Sequence, residues 1–457
     1  MKFKSYTLTQ TLWGLLSVFF ALNSVSNANA NSLMESVEAI VKVDPSLKSA
    51  DKNLQATQEN YGLAKSRLLP QIYIQGSRQR LTQTTTQDTM LGPQSKTFSG
   101  PSVSDQLVIR QGVLRPKDIM GLDLANAQTE HGVNKYKSEL SDTYVRAVTA
   151  WLDVLGSMKQ VEFNKAMLNS VEEAANQETQ KFQKGDSTKD AMFEAKAQLE
   201  SAKATLSEST EDMKSKQQTY WLLTRVPYEN LKSKKFPDLQ LDNFAIQPKE
   251  DMWRRIQDTA PELIAAQALE KIQNVRIKQA GTDHLPTIDL VASLNKAQND
   301  ATFTQGYRYQ NTQVGIQYNI PLFSGGGVNA SQRQALATYE AATADKEALS
   351  QRMENEFNSS WATQQALVDR VKASNSLKLS ALEIKNATDR AIYYGLRSWA
   401  EKSNAEMNLS RRSVDAINAQ LNFYKTQLRF LKMLPVDDPY WRFFIDRLDE
   451  LSIKQSN

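Results

Sequence analysis

The chain has 457 residues, no cysteine and a formal charge of +4, with a mean hydropathy of −0.53. Beyond position 30 nothing approaches the roughly 18 consecutive apolar residues of a membrane helix, which excludes a helical membrane protein. Lys and Arg are interleaved with Asp and Glu along helical stretches, so the clustered basic face that a nucleic-acid partner requires is missing.

The chain opens with Lys2 and Lys4, an apolar run from Thr11 to Leu22 and a small-residue end in which Ala28 and Ala30 are placed for cleavage. That run is too short to cross a bilayer about 30 Å thick as a helix. Residues 1–30 are therefore predicted to be a secretory signal peptide that is removed. Without cysteine, the exported chain must be stable without disulfides and has no thiol for an N-terminal lipid anchor.

A helix is predicted over about 36–69, followed by a strand over about 70–80, in which Ile72 and Ile74 alternate with Gln71, Tyr73 and Gln75. Leu81 to Ser102 is rich in Thr, Gln, Gly and Ser and reads as a long loop. A second strand is expected at about 103–111, with Leu107 and Ile109 opposite Gln106, Val108 and Arg110. From Pro116 to Lys184 no further proline intervenes, and Tyr136, Leu140, Tyr144, Val148, Trp151, Leu155 and Met158 step by fours and threes, the seam of a packed helix. At 1.5 Å per residue such a helix reaches about 100 Å, a rod that no compact domain contains. It ends near Gly185, suited to a tight reversal, and a return helix follows before a connector over Pro227 to Lys249.

The second half repeats the order. A helix is expected at about 253–280, strands at about 286–296 and 312–321 separated by a loop over 297–311, a rod over 328–394 ending near Gly395, and a return helix. Ile288 and Leu290 mark the apolar side of one strand; Val314, Ile316, Tyr318 and Ile320 mark that of the other. Trp151 to Trp361 and Gly185 to Gly395 are both 210 residues, and Pro70 to Pro286 is 216. The chain therefore divides into a first structural repeat, 31–248, and a second, 249–457.

Strands of about ten residues with one apolar side have the length of a tilted membrane strand. Four of them leave two open edges, and an unpaired edge in lipid strands N–H and C=O groups at several kcal/mol each. Single-chain barrels begin at about eight strands. Four strands per chain must therefore be completed by copies of the same chain, and three copies would close a shared twelve-stranded barrel. The predicted fold class is mainly α with a small β part: long antiparallel helical hairpins attached to four membrane strands. The lipid-facing residues would be Ile72, Ile74, Leu107, Ile109, Ile288, Leu290, Val314, Ile316, Tyr318 and Ile320. A competing reading is a soluble periplasmic coiled-coil adaptor or scaffold with the strands on its own core.

Two further stretches sharpen this. "IPLFSGGGVNASQRQA" (Ile320 to Ala335) and "YGLRSWAEKSNAEMNLSRRSVDA" (Tyr394 to Ala416) resemble the strand-to-helix junction and the helix reversal of the TolC family of outer-membrane efflux and type I secretion proteins. The resemblance covers essentially the whole mature sequence. It implies a homotrimer in the outer membrane of a Gram-negative bacterium, with an α-helical tunnel crossing the periplasm. It also implies a periplasmic adaptor and an inner-membrane pump, of the ABC or RND type, as partners. At the second junction Pro321 ends the ladder and Gly325, Gly326 and Gly327 permit unusual backbone angles. The first junction has Arg115, Pro116 and Lys117 instead, with Pro116 suited to the first turn of a helix.

By the same resemblance, Asp186, Asp190, Arg397 and Glu401 are candidates for the gate that closes the tunnel at the reversals; otherwise they are surface charges at helix tips. Gly185, Gly395, Leu396, Arg397 and Ser398 are candidates for adaptor contact. No catalytic residue, metal site or cofactor is expected, since His131 and His284 are the only histidines, stand on different segments and have no cysteine beside them. The protein reads as a passive duct rather than an enzyme, with the "LRP" of Leu114 to Pro116 tilting the cargo slightly toward secreted protein over drugs.

Overall fold

The computed structural model describes residues 32–239, 248–299 and 307–453; the predicted signal peptide lies outside them. The helix expected over 36–69 is two, α1 (Leu33–Val43) and α2 (Pro45–Ser66), because Pro45 cannot continue the first and Asp44 caps the second by accepting from the Leu47 N–H. The same break recurs in the second half at Pro261, between α5 (Lys249–Thr259) and α6 (Pro261–Gly281).

β1 (Gln71–Thr89) and β2 (Gly92–Leu114) are much longer than expected, and they overturn the loop predicted over 81–102. That stretch is a paired hairpin turning at Met90 and Leu91. It has no apolar alternation because both of its faces are polar, and it is held instead by cross-strand hydroxyl bonds. Thr82 meets Ser99 at 3.0 Å, Thr84 meets Thr97 at 2.8 Å and Thr86 meets Ser95 at 2.7 Å. β3 (Thr287–Asn299) and β4 (Tyr307–Asn319) likewise take in both ends of the loop predicted over 297–311, whose middle lies outside the described residues.

The two rods are α3 (Pro116–Lys184, 69 residues) and α7 (Gly327–Tyr393, 67 residues). Their return helices are α4 (Lys189–Thr224) and α8 (Trp399–Lys432). Both reversals have one geometry. Gly185 sits at φ 83° and Gly395 at φ 70°, and the next N–H reaches back across the end of the rod, Asp186 to the Lys181 carbonyl and Leu396 to the Ala391 carbonyl, each at 2.9 Å. Thr188 and Ser398 then start the return helices by accepting from the N–H groups of Ala191 and Glu401.

The two hairpins are pinned together near the middle of α3. Trp151, Leu152 and Leu155 of α3 are buried with Leu33, Val37 and Ile40 of α1, Tyr220 of α4 and Ile417, Tyr424 and Leu428 of α8. A short helix near the C-terminus, α9 (Pro439–Ser452), covers this core with Trp441, Phe444, Ile445 and Leu448. A second cluster gathers Met353 and Phe357 of α7 with Ile256, Leu263, Phe430 and Leu434, and there Trp361 lies 5.8 Å from Phe357 and 6.0 Å from Phe430 between ring centroids. The described part of the first half's connector carries a 3-10 turn, Tyr228–Ser233; residues 240–247 lie outside the described set.

Candidate channel surfaces: sheet, junctions and helix tips

The four strands form one antiparallel sheet in the order β1-β2-β3-β4. Among the described residues β1 pairs only with β2 and β4 only with β3, so the outer edge of each carries no ladder. Register decides which side chains share a face. Ile72 is opposite Ile109 and Ile74 opposite Leu107; Ile109 is opposite Ala292 and Leu107 opposite Leu294; Ala292, Leu290 and Ile288 are opposite Val314, Ile316 and Tyr318. Every strand residue expected to face lipid thus stands on one side of the sheet, in continuous rows. Ile74, Val314, Ile316 and Tyr318 are each at least 70% exposed, so nothing among the described residues covers them. Ile320, just past β4, is 53% exposed. The other side presents Gln71, Gln75, Gln106, Arg110, Ser293, Gln313 and Gln317, with Val108 buried among them.

Each strand-to-helix junction is built differently. In the second, Gly325 and Gly326 have φ 61° and 78°, which side chains avoid. Gly327 is the first residue of α7 and does not share that conformation, so two glycines rather than three make the turn. The first junction uses charge. The Arg115 guanidinium donates to both Asp289 oxygens at 2.7 and 2.8 Å and lies 3.5 Å from Asp118, while Lys117 meets Asp283 at 2.9 Å. Pro116 occupies the first turn of α3. A bidentate pair with little solvent around it fixes the swing from strand to helix where the first repeat lacks the glycines.

At the tips, Asp186 is exposed and contributes its backbone to the reversal. Asp190 lies in the first turn of α4, where a carboxylate suits the helix dipole. Arg397 is 3.6 Å from Glu401. Glu401 closes a capping box with Ser398: its carboxylate accepts from the Ser398 N–H at 2.8 Å, and this bond, with the Ser398 hydroxyl and Arg397, holds the carboxyl below the usual carboxylate range. Among the described residues no hydrogen bond or ion pair joins Asp186 or Asp190 to Arg397 or Glu401. The two hairpins are tied to each other instead by Lys402 to Glu173 at 2.9 Å and Gln198 to Asn404 at 3.3 Å, while Lys385 to Glu406 at 3.6 Å joins the two arms of the second hairpin. Which helices are neighbours is set by tertiary packing, and no local spacing announces those pairs. Leu396, Tyr393 and Tyr394 are among the most exposed apolar residues of the second tip, at 77%, 85% and 72%.

The two histidines are apart from any such cluster: His131 Nδ1 contacts the Ala265 carbonyl oxygen at 2.9 Å and His284 Nε2 contacts Asn329 at 3.4 Å. No group of three potential metal ligands occurs among the described residues.

An open four-stranded sheet with an exposed apolar side, set on two helical hairpins built around rods of nearly seventy residues, is the architecture of an outer-membrane channel subunit. Residues 37–220 and 254–434 match the family model described as outer membrane efflux protein, and the chain belongs to that family, the one typified by TolC. It is 26% identical over 428 residues to the alkaline protease secretion protein AprF of Pseudomonas aeruginosa, covering 89% of this chain and 86% of AprF. It is 21% identical over 429 residues to the outer membrane protein TolC of Escherichia coli, covering 90% and 83%. Among solved structures the Campylobacter jejuni CmeC outer membrane channel superposes with a TM-score of 0.71 at 15% identity, over 98% of this chain and 93% of that one. Family membership places the protein in the outer membrane of a Gram-negative bacterium and among channel proteins rather than enzymes.

Proposed function

We propose that three copies join the free edge of β4 to the free edge of β1 in the next copy, closing a twelve-stranded barrel whose apolar side meets lipid and whose helices form the periplasmic tunnel. The observation that carries this reading is the sheet itself: continuous apolar rows over four strands, ending on two unpaired edges that lipid does not tolerate. In this duct Asp186, Asp190, Arg397 and Glu401 line the narrow periplasmic mouth in three-fold rings. Gly185, Gly395, Leu396, Arg397 and Ser398 meet a periplasmic adaptor, which links the duct to an inner-membrane pump. The pump supplies the energy.

For cargo we favour protein exported by a type I route over drugs. The relatives AprF and the proteases secretion protein PrtF of Dickeya chrysanthemi, at 26% and 25% identity, support this. The duct is tested by fractionating cells after chemical crosslinking: an outer-membrane trimer is expected, and a soluble, unlinked monomer would refute it and favour the adaptor reading. The cargo is tested by deleting the gene and measuring both the secreted proteome and drug sensitivity. Loss of secreted proteins with unchanged drug sensitivity is expected; the reverse outcome refutes the preference.

A further inference from the structure

The side of the sheet that carries the apolar rows changes chemistry with distance from the helices. After the row Ile74, Leu107, Leu294 comes Gly76, Asp105, Lys296, Gln310, then Arg78, Val103, Gln298, Arg308, and then Arg80 with Pro101. Four cations and one carboxylate therefore stand on the same side as the apolar rows, at the end remote from the rods. The carboxylate is already matched, because the Arg78 guanidinium donates to both Asp105 oxygens at 2.8 Å and to the Ser104 carbonyl at 3.3 Å. Arg80 donates to the Ser99 hydroxyl at 3.3 Å. Lys296 and Arg308 are exposed and form no ion pair among the described residues. Together with Val103, Asp105, Gln298 and Gln310 they line a groove of about 430 Å³.

A basic groove directly above an apolar surface on one face is complementary to an amphiphile whose anionic head sits over hydrocarbon chains. A guanidinium and an ammonium are the side chains that bind a phosphate, the first as a fork and the second as a point charge. We propose that this groove binds the phosphate of a lipid headgroup in the outer leaflet, with Lys296 and Arg308 as its ligands and Arg80 at the rim. The chains of that lipid lie along Ile74, Leu107 and Leu294. The leaflet follows from topology, since the rods leave the opposite end of the strands. The assignment rests on the barrel orientation proposed above.

The test compares lipid A with its dephosphorylated form as probes, added to the purified trimer in detergent and counted by native mass spectrometry. Wild type is expected to prefer the phosphorylated lipid by roughly ten- to thirty-fold, the effect of two cations near a phosphate layer, and K296Q/R308Q to lose that preference. The charge-preserving K296R/R308K should restore it, which separates loss of charge from misfolding. No preference in an intact wild-type trimer, or a preference unchanged in K296Q/R308Q, overturns the groove and leaves the barrel standing. Displacement of the lipid by inorganic phosphate at equal concentration overturns the lipid as occupant. Recovery of wild type as a monomer without barrel properties removes the barrel reading, and the groove with it.

Discussion

Ile316 and Gln317 are neighbours in β4 on opposite sides of the sheet, so replacing each with lysine separates a position proposed to face lipid from one proposed to face the lumen. Ile316 is 70% exposed in the single chain, so I316K removes little internal packing, and any large effect must come from what covers that face in the assembly. It stands in the middle of the apolar rows, opposite Leu290 and between the rows of Val314 and Tyr318. A lysine near the bilayer midplane of a barrel costs about 2–4 kcal/mol. Because every copy carries the change, a trimer loses roughly three times that, about 6–12 kcal/mol. Q317K places the same charge opposite Asp289 on the polar side of the sheet and should cost less than about 1 kcal/mol. Both variants are refolded into lipid vesicles, and their stability is read from a urea titration of the heat-resistant trimer band. I316K should fail to assemble, or unfold at far lower urea, while Q317K tracks wild type. Equal behaviour, or a reversed order, would show that this face does not meet lipid.

Three smaller predictions probe the junctions and helix pairs. R115A removes both hydrogen bonds to Asp289 and should destabilise the first junction by roughly 1.5–3 kcal/mol, with R115K recovering only part, since an ammonium cannot make the fork; the shift in urea midpoint measures both. G395A forces a side chain into φ 70° and should cost about 1–2 kcal/mol, whereas G327A, in ordinary helical backbone, should be neutral or better by thermal melting. The Lys346 ammonium, 2.7 Å from Glu270, holds that carboxyl below its usual range against partial burial, with Thr343 assisting. A depressed folded value gives stability that is full above the usual carboxylate range and is lost as pH falls through the folded value. Wild type should therefore lose stability on acidification below about pH 4.5, the ordinary value for this group. E270Q should start less stable at pH 7 and show a shallower acid loss in the same melts.

The features legible in the sequence were those written in local rules. Gly185 and Gly395 announced both reversals because a left-handed cap needs glycine, and the period-two run from Val314 to Tyr318 announced an apolar side because one face must differ from the other. The hairpin over 81–102 was illegible for the converse reason: both faces are largely polar, and Thr82, Thr84 and Thr86 pair with hydroxyls and leave little hydropathy contrast to read. Asp44 with Pro45 and Asp438 with Pro439 did carry cap signals. The second of these, followed by Trp441, Phe444, Ile445 and Leu448 at helical spacing, could have revealed α9. The charge at the tips was legible as residue type, and the Ser398-x-x-Glu401 spacing also carries the signature of the capping box that the structure forms. The Lys402–Glu173 and Gln198–Asn404 pairs depend on which helices of the two hairpins lie side by side, and the sequence does not encode that locally.

Subunit closure can be measured on a clean background, because the chain contains no cysteine of its own. Tyr73 of β1 and Gln313, Gly315 and Gln317 of β4 lie on the polar side of the sheet next to its open edges. Double variants pairing Y73C with each of Q313C, G315C and Q317C, oxidised in intact outer membranes, should give disulfide-linked dimers and trimers for at least one register. Monomers alone in every variant, with the thiols still open to reagent, would contradict a barrel shared between copies.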